Sequence, residues 1–363
     1  MSSRKLKTTF VCAAAVVVTV SLLVHIPFAR ATNIVWQQYT YDNPAGSRPY
    51  FVYTPQNYQI GTAVPLVVML HGCGQTAVDF ATGTHMNQLA EEYNFIVAYP
   101  QETSNASING CWNWYDRTHQ FRDGGEPTII ARIVLAIEEN TTQWRIDSRR
   151  VYVTGISAGA AMSVILGATY PDIFAAIGVH SGVEYRAATS LKNLLPVMRR
   201  GGPDPAQQGK AAYHAMGSFA RVVPTIVFQG TSDVIVNRIN GDQVVQQWMQ
   251  TDKLVSHGTY HADFANPTSV TTDLAPGGRT YIVYRWCDIN GNEVQEYWRI
   301  NGMGHAWSGG NGGSFTDPRG PDASLAMYTF FMKHPMRSGR YASPAWKKLR
   351  SALAGLFQKK EQE

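Results

Sequence analysis

The stretch Val151–Ser163, VYVTGISAGAAMS, decides how the rest of the chain is read. Val151-Tyr152-Val153 is a short β-branched and aromatic run of the kind that forms a buried strand. Ala158 to Thr169 is rich in helix formers and ends at Tyr170-Pro171. Between them stands G-x-S-x-G, written Gly155-Ile156-Ser157-Ala158-Gly159. In a strand-turn-helix setting this pattern puts the serine on a strained turn with its Oγ exposed, and the glycines let strand and helix approach closely. An ordinary glycine-serine turn satisfies the same pentapeptide, so the context carries the reading: Ser157 is the candidate nucleophile.

Outward from this stretch, unalternating apolar runs alternate with helical patterns. Strands are expected at Ile34–Tyr41, Tyr50–Tyr53, Leu66–Leu70, Phe95–Tyr99, Val151–Thr154, Phe174–Val179, Thr225–Phe228 and Val294–Ile300. Helices are expected near Met86–Tyr93, Thr128–Asn140, Ala158–Thr169, Gln243–Met249 and Asp322–Lys333. Runs without alternation fit strands covered on both faces, and the alternation of element types predicts an α/β domain with a mainly parallel sheet.

The ends differ from this pattern. Arg4, Lys5 and Lys7 precede an apolar run from Thr8 to about Val24, and Ala29-Arg30-Ala31 offers a small-x-small cleavage site. Residues 1–31 thus read as a secretory signal peptide, with an uncleaved membrane anchor facing outside as the alternative. The formal net charge is +5. Residues 1–31 hold four basic residues (Arg4, Lys5, Lys7, Arg30) and no acidic one, so the mature chain carries about +1 and has no basic stripe to suit nucleic acid. Residues 336–363 form a third segment. Trp346, Leu349, Leu353, Leu356 and Phe357 share a helical face flanked by lysines and Arg350. It is expected to pack on the domain or fray, with an anionic membrane surface as the alternative.

A serine nucleophile needs a base, a group to orient that base and donors for the oxyanion. In an open α/β sheet these lie at the carboxyl ends of strands. Leu66–Leu70 runs into His71-Gly72-Cys73-Gly74, which makes the Cys73 and Ala158 amides the expected oxyanion hole. Asp233 follows the strand of TIVFQG by three residues, whereas Asp242, Asp252 and Asp263 follow no comparable strand. His305, in RINGMGHAWSGG, lies past another strand, and its rival is His180 beside Ser181. The chain order Ser157, Asp233, His305 favours His305, since α/β hydrolases order the triad serine, acid, histidine. His257 and His261 lack a companion glutamate and a clear helix, so no metal site is expected there. Gly309–Gly313 has no lysine and no following helix; it is expected to be a flexible rim and not a phosphate loop. Cys12 leaves with the signal, and of Cys73, Cys111 and Cys287 one pair and one leftover thiol are expected.

Taken together, SRPYFVYTPQNY, LHGCGQ, GCWNWYD, DSRRVYVTGISAGAAMS, VFQGTSDVIVNRINGD, GMGHAWSGG and TDPRGPDAS resemble the secreted poly(3-hydroxybutyrate) depolymerase family of esterases, neighbours of the feruloyl and acetyl xylan esterases. The likeness runs from about Ser47 to Phe331. It implies an α/β-hydrolase fold over residues 32–335, a Ser157–His305–Asp233 triad, the Cys73 and Ala158 amides as oxyanion hole, and a Cys73–Cys111 disulfide. It also makes Trp112, Trp114 and Trp307 candidates for an apolar wall around the acyl group. The substrate is then a polyester, an oligoester or a plant-wall ester, and no cofactor is required. No linker or separate polymer-binding module is read after the catalytic segment, so amorphous polymer and soluble oligomers are preferred to crystalline polymer. A non-catalytic binding protein on the same scaffold is the rival from another class, and it would be expected to lack a triad member.

Overall fold

The computed structural model describes residues 36–43 and 46–338. The expected signal peptide, the Thr32 start and the tail beyond residue 338 lie outside the described residues.

The chain begins with an antiparallel hairpin, β1 (Trp36–Asn43) and β2 (Gly46–Tyr53). Next come β3 (Ala63–Leu70), α1 (Ala77–Thr84), α2 (Met86–Tyr93) and β4 (Ile96–Pro100). These are followed by α3 (Gly125–Glu139), β5 (Arg145–Gly155), α4 (Ala158–Thr169) and β6 (Ala176–His180). Helices α5 (Leu191–Arg200) and α6 (Pro205–Met216) lead to β7 (Thr225–Gly230) and α7 (Ile239–Val255). Strands β8 (Ser269–Leu274), β9 (Thr280–Cys287) and β10 (Glu293–Ile300) precede a short parallel pair, β11 (Trp307–Ser308) and β12 (Thr316–Asp317), and the last helix α8 (Ala323–Lys333).

Ten strands make one sheet in the order β1-β2-β4-β3-β5-β6-β7-β10-β9-β8. Its centre, from β4 to β10, is parallel, and both margins are antiparallel hairpins or their neighbours. The parallel strands are buried along nearly their whole length because helices cover both faces: Leu66–Leu70 and Val151–Gly155 contain no exposed residue. Every residue of α4 is buried, so this alanine- and glycine-rich helix lies inside the molecule and presents no polar face to water. Two apolar cores result. One, under α3 and α4, holds Trp112, Ile130, Leu166 and Trp248; the other, under α1 and α8, holds Phe80, Tyr152, Trp307 and Phe331. No helix among the described residues is long and apolar enough to cross a membrane.

The expected strands and helices all appear, with ends shifted by a few residues. Strands β8 and β9 and helices α1, α5 and α6 were not legible beforehand. β8 is exposed at every position and so carries no inward-facing apolar alternation. α5 has Pro196 inside it. Gly309–Gly313 is not a free rim: the Asn311 amide donates to the Gly83 carbonyl at 3.1 Å, and a Cβ on Gly310 or Gly313 would collide with the backbone of α1. Glycine is needed there because two chain segments touch at their backbones.

Candidate active site

Ser157 has φ 56° and ψ −118°, a conformation that L residues rarely adopt. The turn is held from three sides. The Ser157 amide donates to the His180 carbonyl (3.0 Å), the Ile156 amide to the Leu70 carbonyl (3.2 Å), and the Ala161 amide to the Ser157 carbonyl (3.0 Å). A Cβ on either Gly155 or Gly159 would run into the Leu70 carbonyl oxygen, which explains the glycines of the pentapeptide. The serine is thus fixed where β5 meets α4, while its side chain lines a cavity.

Asp233 follows β7 and is almost wholly buried. Its Oδ1 accepts the Ile235 (3.0 Å) and Val236 (2.9 Å) amides, and its Oδ2 lies 2.8 Å from His305 Nδ1. The loop carrying His305 is drawn to Asp233 by backbone bonds from Thr231 to the Ile300 carbonyl and from Ser232 to the Met303 carbonyl, both 3.0 Å. Glycine at position 230 permits this, since a Cβ there would strike the Met303 carbonyl. With Nδ1 donating to the carboxylate, Nε2 of His305 is the nitrogen left to receive a proton.

His180, the rival base, is wholly buried behind the site. Its Nε2 accepts the Ser308 amide (3.0 Å) and its ring stacks on Trp307 and Phe228. Burial, with His305 nearby, pushes its pKa down to about 3, so it stays neutral. Its carbonyl orients Ser157 and its ring supports the His305 loop. It is therefore a strut between the two and has no free nitrogen to serve as a base.

Cys73 and Cys111 form a disulfide. The neighbours of the expected oxyanion donors are engaged: Gly72 N–H donates to Gln75 Oε1 (2.9 Å), Gly74 to the Asn109 carbonyl (3.0 Å) and Gly159 to the Ile156 carbonyl (2.9 Å). Among the described residues no protein acceptor takes the Cys73 or Ala158 amide. Two backbone donors without protein acceptors, on residues that line the same cavity as Ser157, suit a developing oxyanion. Behind this loop, His71 is completely buried and its pKa is pushed down to about 4 by burial; its Nε2 accepts the Glu102 amide at 2.9 Å. Arg48 bonds Glu102 (2.8 Å), and Glu126 binds the Asn113 amide (2.7 Å), so the segment bearing the disulfide is anchored by buried charge. This bracing has no signal in the sequence, because Glu102 and Glu126 belong to no motif and meet Arg48, more than fifty residues away along the chain, only through the fold.

The cavity beside Ser157 holds about 110 Å³ and is lined by Cys73, Cys111, Trp114, Ala158, Met198 and Val236, among others. The expected wall of three tryptophans is corrected to one. Trp112 is fully buried with its indole N–H on the His71 carbonyl, and Trp307 is buried with its N–H on Ser324 Oγ. Their places are taken by Val183, Leu194 and Met198, which come from the loop after β6 and from α5. A larger open groove of about 550 Å³ between α1, α2 and Asn311 contains none of the candidate residues.

A strained serine between β5 and α4, with an acid and a histidine on loops after β7 and β10, gives the molecule the α/β-hydrolase fold. The chain belongs to the family described as Esterase PHB depolymerase, whose family model matches residues 49–265. It is 35% identical over 244 residues to a poly(3-hydroxyalkanoate) depolymerase C of Paucimonas lemoignei, covering 66% of this chain and 54% of that protein. It is also 29% identical over 281 residues to an acetylxylan esterase of Coprinopsis cinerea, covering 73% and 67% respectively. The chain spans about half the length of the curated depolymerases it matches. Among solved structures, an acetyl xylan esterase from Aspergillus awamori superposes with a TM-score of 0.65 at 24% identity, over 82% of this chain and 99% of that one.

Proposed function

We propose that this chain is a secreted serine esterase that cleaves poly(3-hydroxybutyrate) or its oligomers through an acyl-enzyme. The observation that carries the reading is the combination of Ser157 at φ 56° with the 2.8 Å contact between His305 and Asp233. Ser157 Oγ attacks the ester carbonyl as His305 Nε2 takes its proton. Asp233 keeps the imidazole in the tautomer with Nδ1–H and stabilises the imidazolium. The carbonyl oxygen becomes an oxyanion held by the Cys73 and Ala158 amides. The alcohol leaves with the proton from His305, which then deprotonates water to release the acid from Ser157. None of these steps calls on a cofactor.

The cavity favours a short acyl group, since its walls are apolar and its volume small. Acetyl and feruloyl esters of plant walls are the second reading, supported by sequence relatives named acetylxylan esterase and feruloyl esterase B, each matched over 73% of this chain. The mature chain, incubated with amorphous poly(3-hydroxybutyrate), 3-hydroxybutyrate oligomers, acetylated xylan and methyl ferulate, tests both, with Ser157→Ala as blank. Release of 3-hydroxybutyrate is expected. Preferential release of acetate or ferulate moves the substrate to plant-wall esters with the same triad, and no release from any ester removes the reading.

A further inference from the structure

The wall that closes the cavity beside Ser157 also has an outer surface. Its inner side is built by Leu194 and Met198 of α5 and by Val236 of the loop after Asp233. The two parts are tied together, since the Asn237 amide donates to the Met198 carbonyl at 2.7 Å and Asn240 Nδ2 donates to the same oxygen at 3.0 Å. Leu191, Leu194, Leu195 and Met198 share one helical face, so the apolar wall continues from the cavity out to solvent: Leu191 is 60% exposed and Leu195 55%, with Val234 at 85% and Ile239 at 40% beside Val236. On the His305 side, Phe315 is 44% exposed and meets the imidazole edge-on at 6.1 Å. Single exposed apolar residues are ordinary, but here they surround one catalytic cavity.

The charge on α5 has one sign. Lys192, Arg199 and Arg200 are exposed on α5, no acidic residue occurs from Leu191 to Gly202, and none of the three forms an ion pair among the described residues. Hydrolysis of an ester within a polymer leaves a carboxylate chain end on the solid, so a polyester surface under attack is apolar with scattered negative charge. An apolar patch carrying cations matches that chemistry.

We propose that α5, with the loop after Asp233, is an adsorption surface for solid polyester, so that the catalytic domain binds its insoluble substrate without a separate module. The inference rests on the assignment of Ser157 as nucleophile, and the two are tested separately. Adsorption is measured with the mature chain carrying Ser157→Ala, on amorphous poly(3-hydroxybutyrate) particles, on cellulose and on phosphatidylglycerol vesicles. Binding to the polyester is expected, and Leu191→Ser/Leu195→Ser/Val234→Ser should weaken it about tenfold or more. Lys192→Gln/Arg199→Gln/Arg200→Gln, which leaves the apolar residues untouched, should weaken it less and abolish its salt sensitivity. In the Ser157 background both variants should hydrolyse a soluble p-nitrophenyl butyrate within about twofold of the parent, which also reports that they fold. Unchanged polyester binding in the apolar variant overturns the proposal, and so does tighter binding to the vesicles, which would make the surface a lipid-binding one. Failure of the parent chain, with Ser157 intact, to hydrolyse the soluble ester would instead overturn the triad, whatever the adsorption result.

Discussion

On the proposed mechanism Ser157, Asp233 and His305 divide the chemistry unequally, and their substitutions should differ in proportion. Ser157→Ala removes the nucleophile and is expected to lower kcat by about 10⁶, whereas Asp233→Asn, which keeps the shape but favours the wrong tautomer, should lower it by about 10⁴. Pre-steady-state assays with a chromogenic ester, with and without the acyl-enzyme burst, measure both. Gly159→Ala belongs to another kind of change. Its methyl group would meet the Leu70 and His71 carbonyl oxygens, so the loss should appear in stability, by about 3 kcal/mol or more, before it appears in kinetics. Urea denaturation separates the two. Ser157, Asp233 and His305 could be singled out from sequence because each follows a strand in a fixed order, and the structure brings Asp233 Oδ2 within 2.8 Å of His305 Nδ1. Trp112 and Trp307 were misread because proximity to catalytic segments along the chain does not say which way an indole points; both turn their N–H groups into buried acceptors.

At the scale of elements, what sequence conveys depends on whether burial imposes a period. β3, the Val151–Gly155 half of β5 and β7 are buried on both faces, and their unbroken apolar runs announce them. β8 buries no residue and so carries no alternation, whereas α5 has the helical spacing in Leu191, Leu194, Leu195 and Met198 but is short and interrupted by Pro196. The disulfide links the loop after β3 to the segment before α3, and Cys73, whose amide is the proposed oxyanion donor, is one of its ends. Cys111→Ser is therefore expected to cost about 2 to 4 kcal/mol of stability. It should also lower kcat with little change in KM, because a loosened amide is lost mainly in the transition state. Parallel thermal and steady-state measurements, with and without reductant, check this.

Across the whole molecule, buried titratable groups limit the pH range of stability from both sides. His71, with its pKa at about 4, stays neutral in the fold while the unfolded chain binds a proton near pH 6.5. Its contribution is complete above about pH 6.5 and is lost as pH falls toward 4, by about 3 kcal/mol for this group alone. His180 acts in the same direction. Glu184 acts oppositely: burial, with Asp204 nearby, raises its pKa to about 9, and both carboxylate oxygens are buried without a hydrogen bond. The unfolded chain ionises near pH 4.5 while the folded one resists, so stability is lost as pH rises from there to about 9. Glu184→Gln should raise the unfolding midpoint at pH 8 and leave it nearly unchanged at pH 4.5, as denaturation at the two pH values will show.

The order of strands across the sheet differs from their order along the chain. β10 is the last of the parallel strands to be synthesised, yet it lies against β7, and the histidine loop follows it. Ser157 is thus translated well before His305, its proposed base, and the His305 loop is placed only after β7 and β10 align. Long-range parallel pairing of this kind is slow to form. A ribosome-bound or secretion-held chain that ends short of residue 305 carries an inert serine, and on refolding, ester turnover should lag behind the burial of Trp112 and Trp248. The enzyme's own assembly schedule would then keep it silent until the last third of the polypeptide has folded.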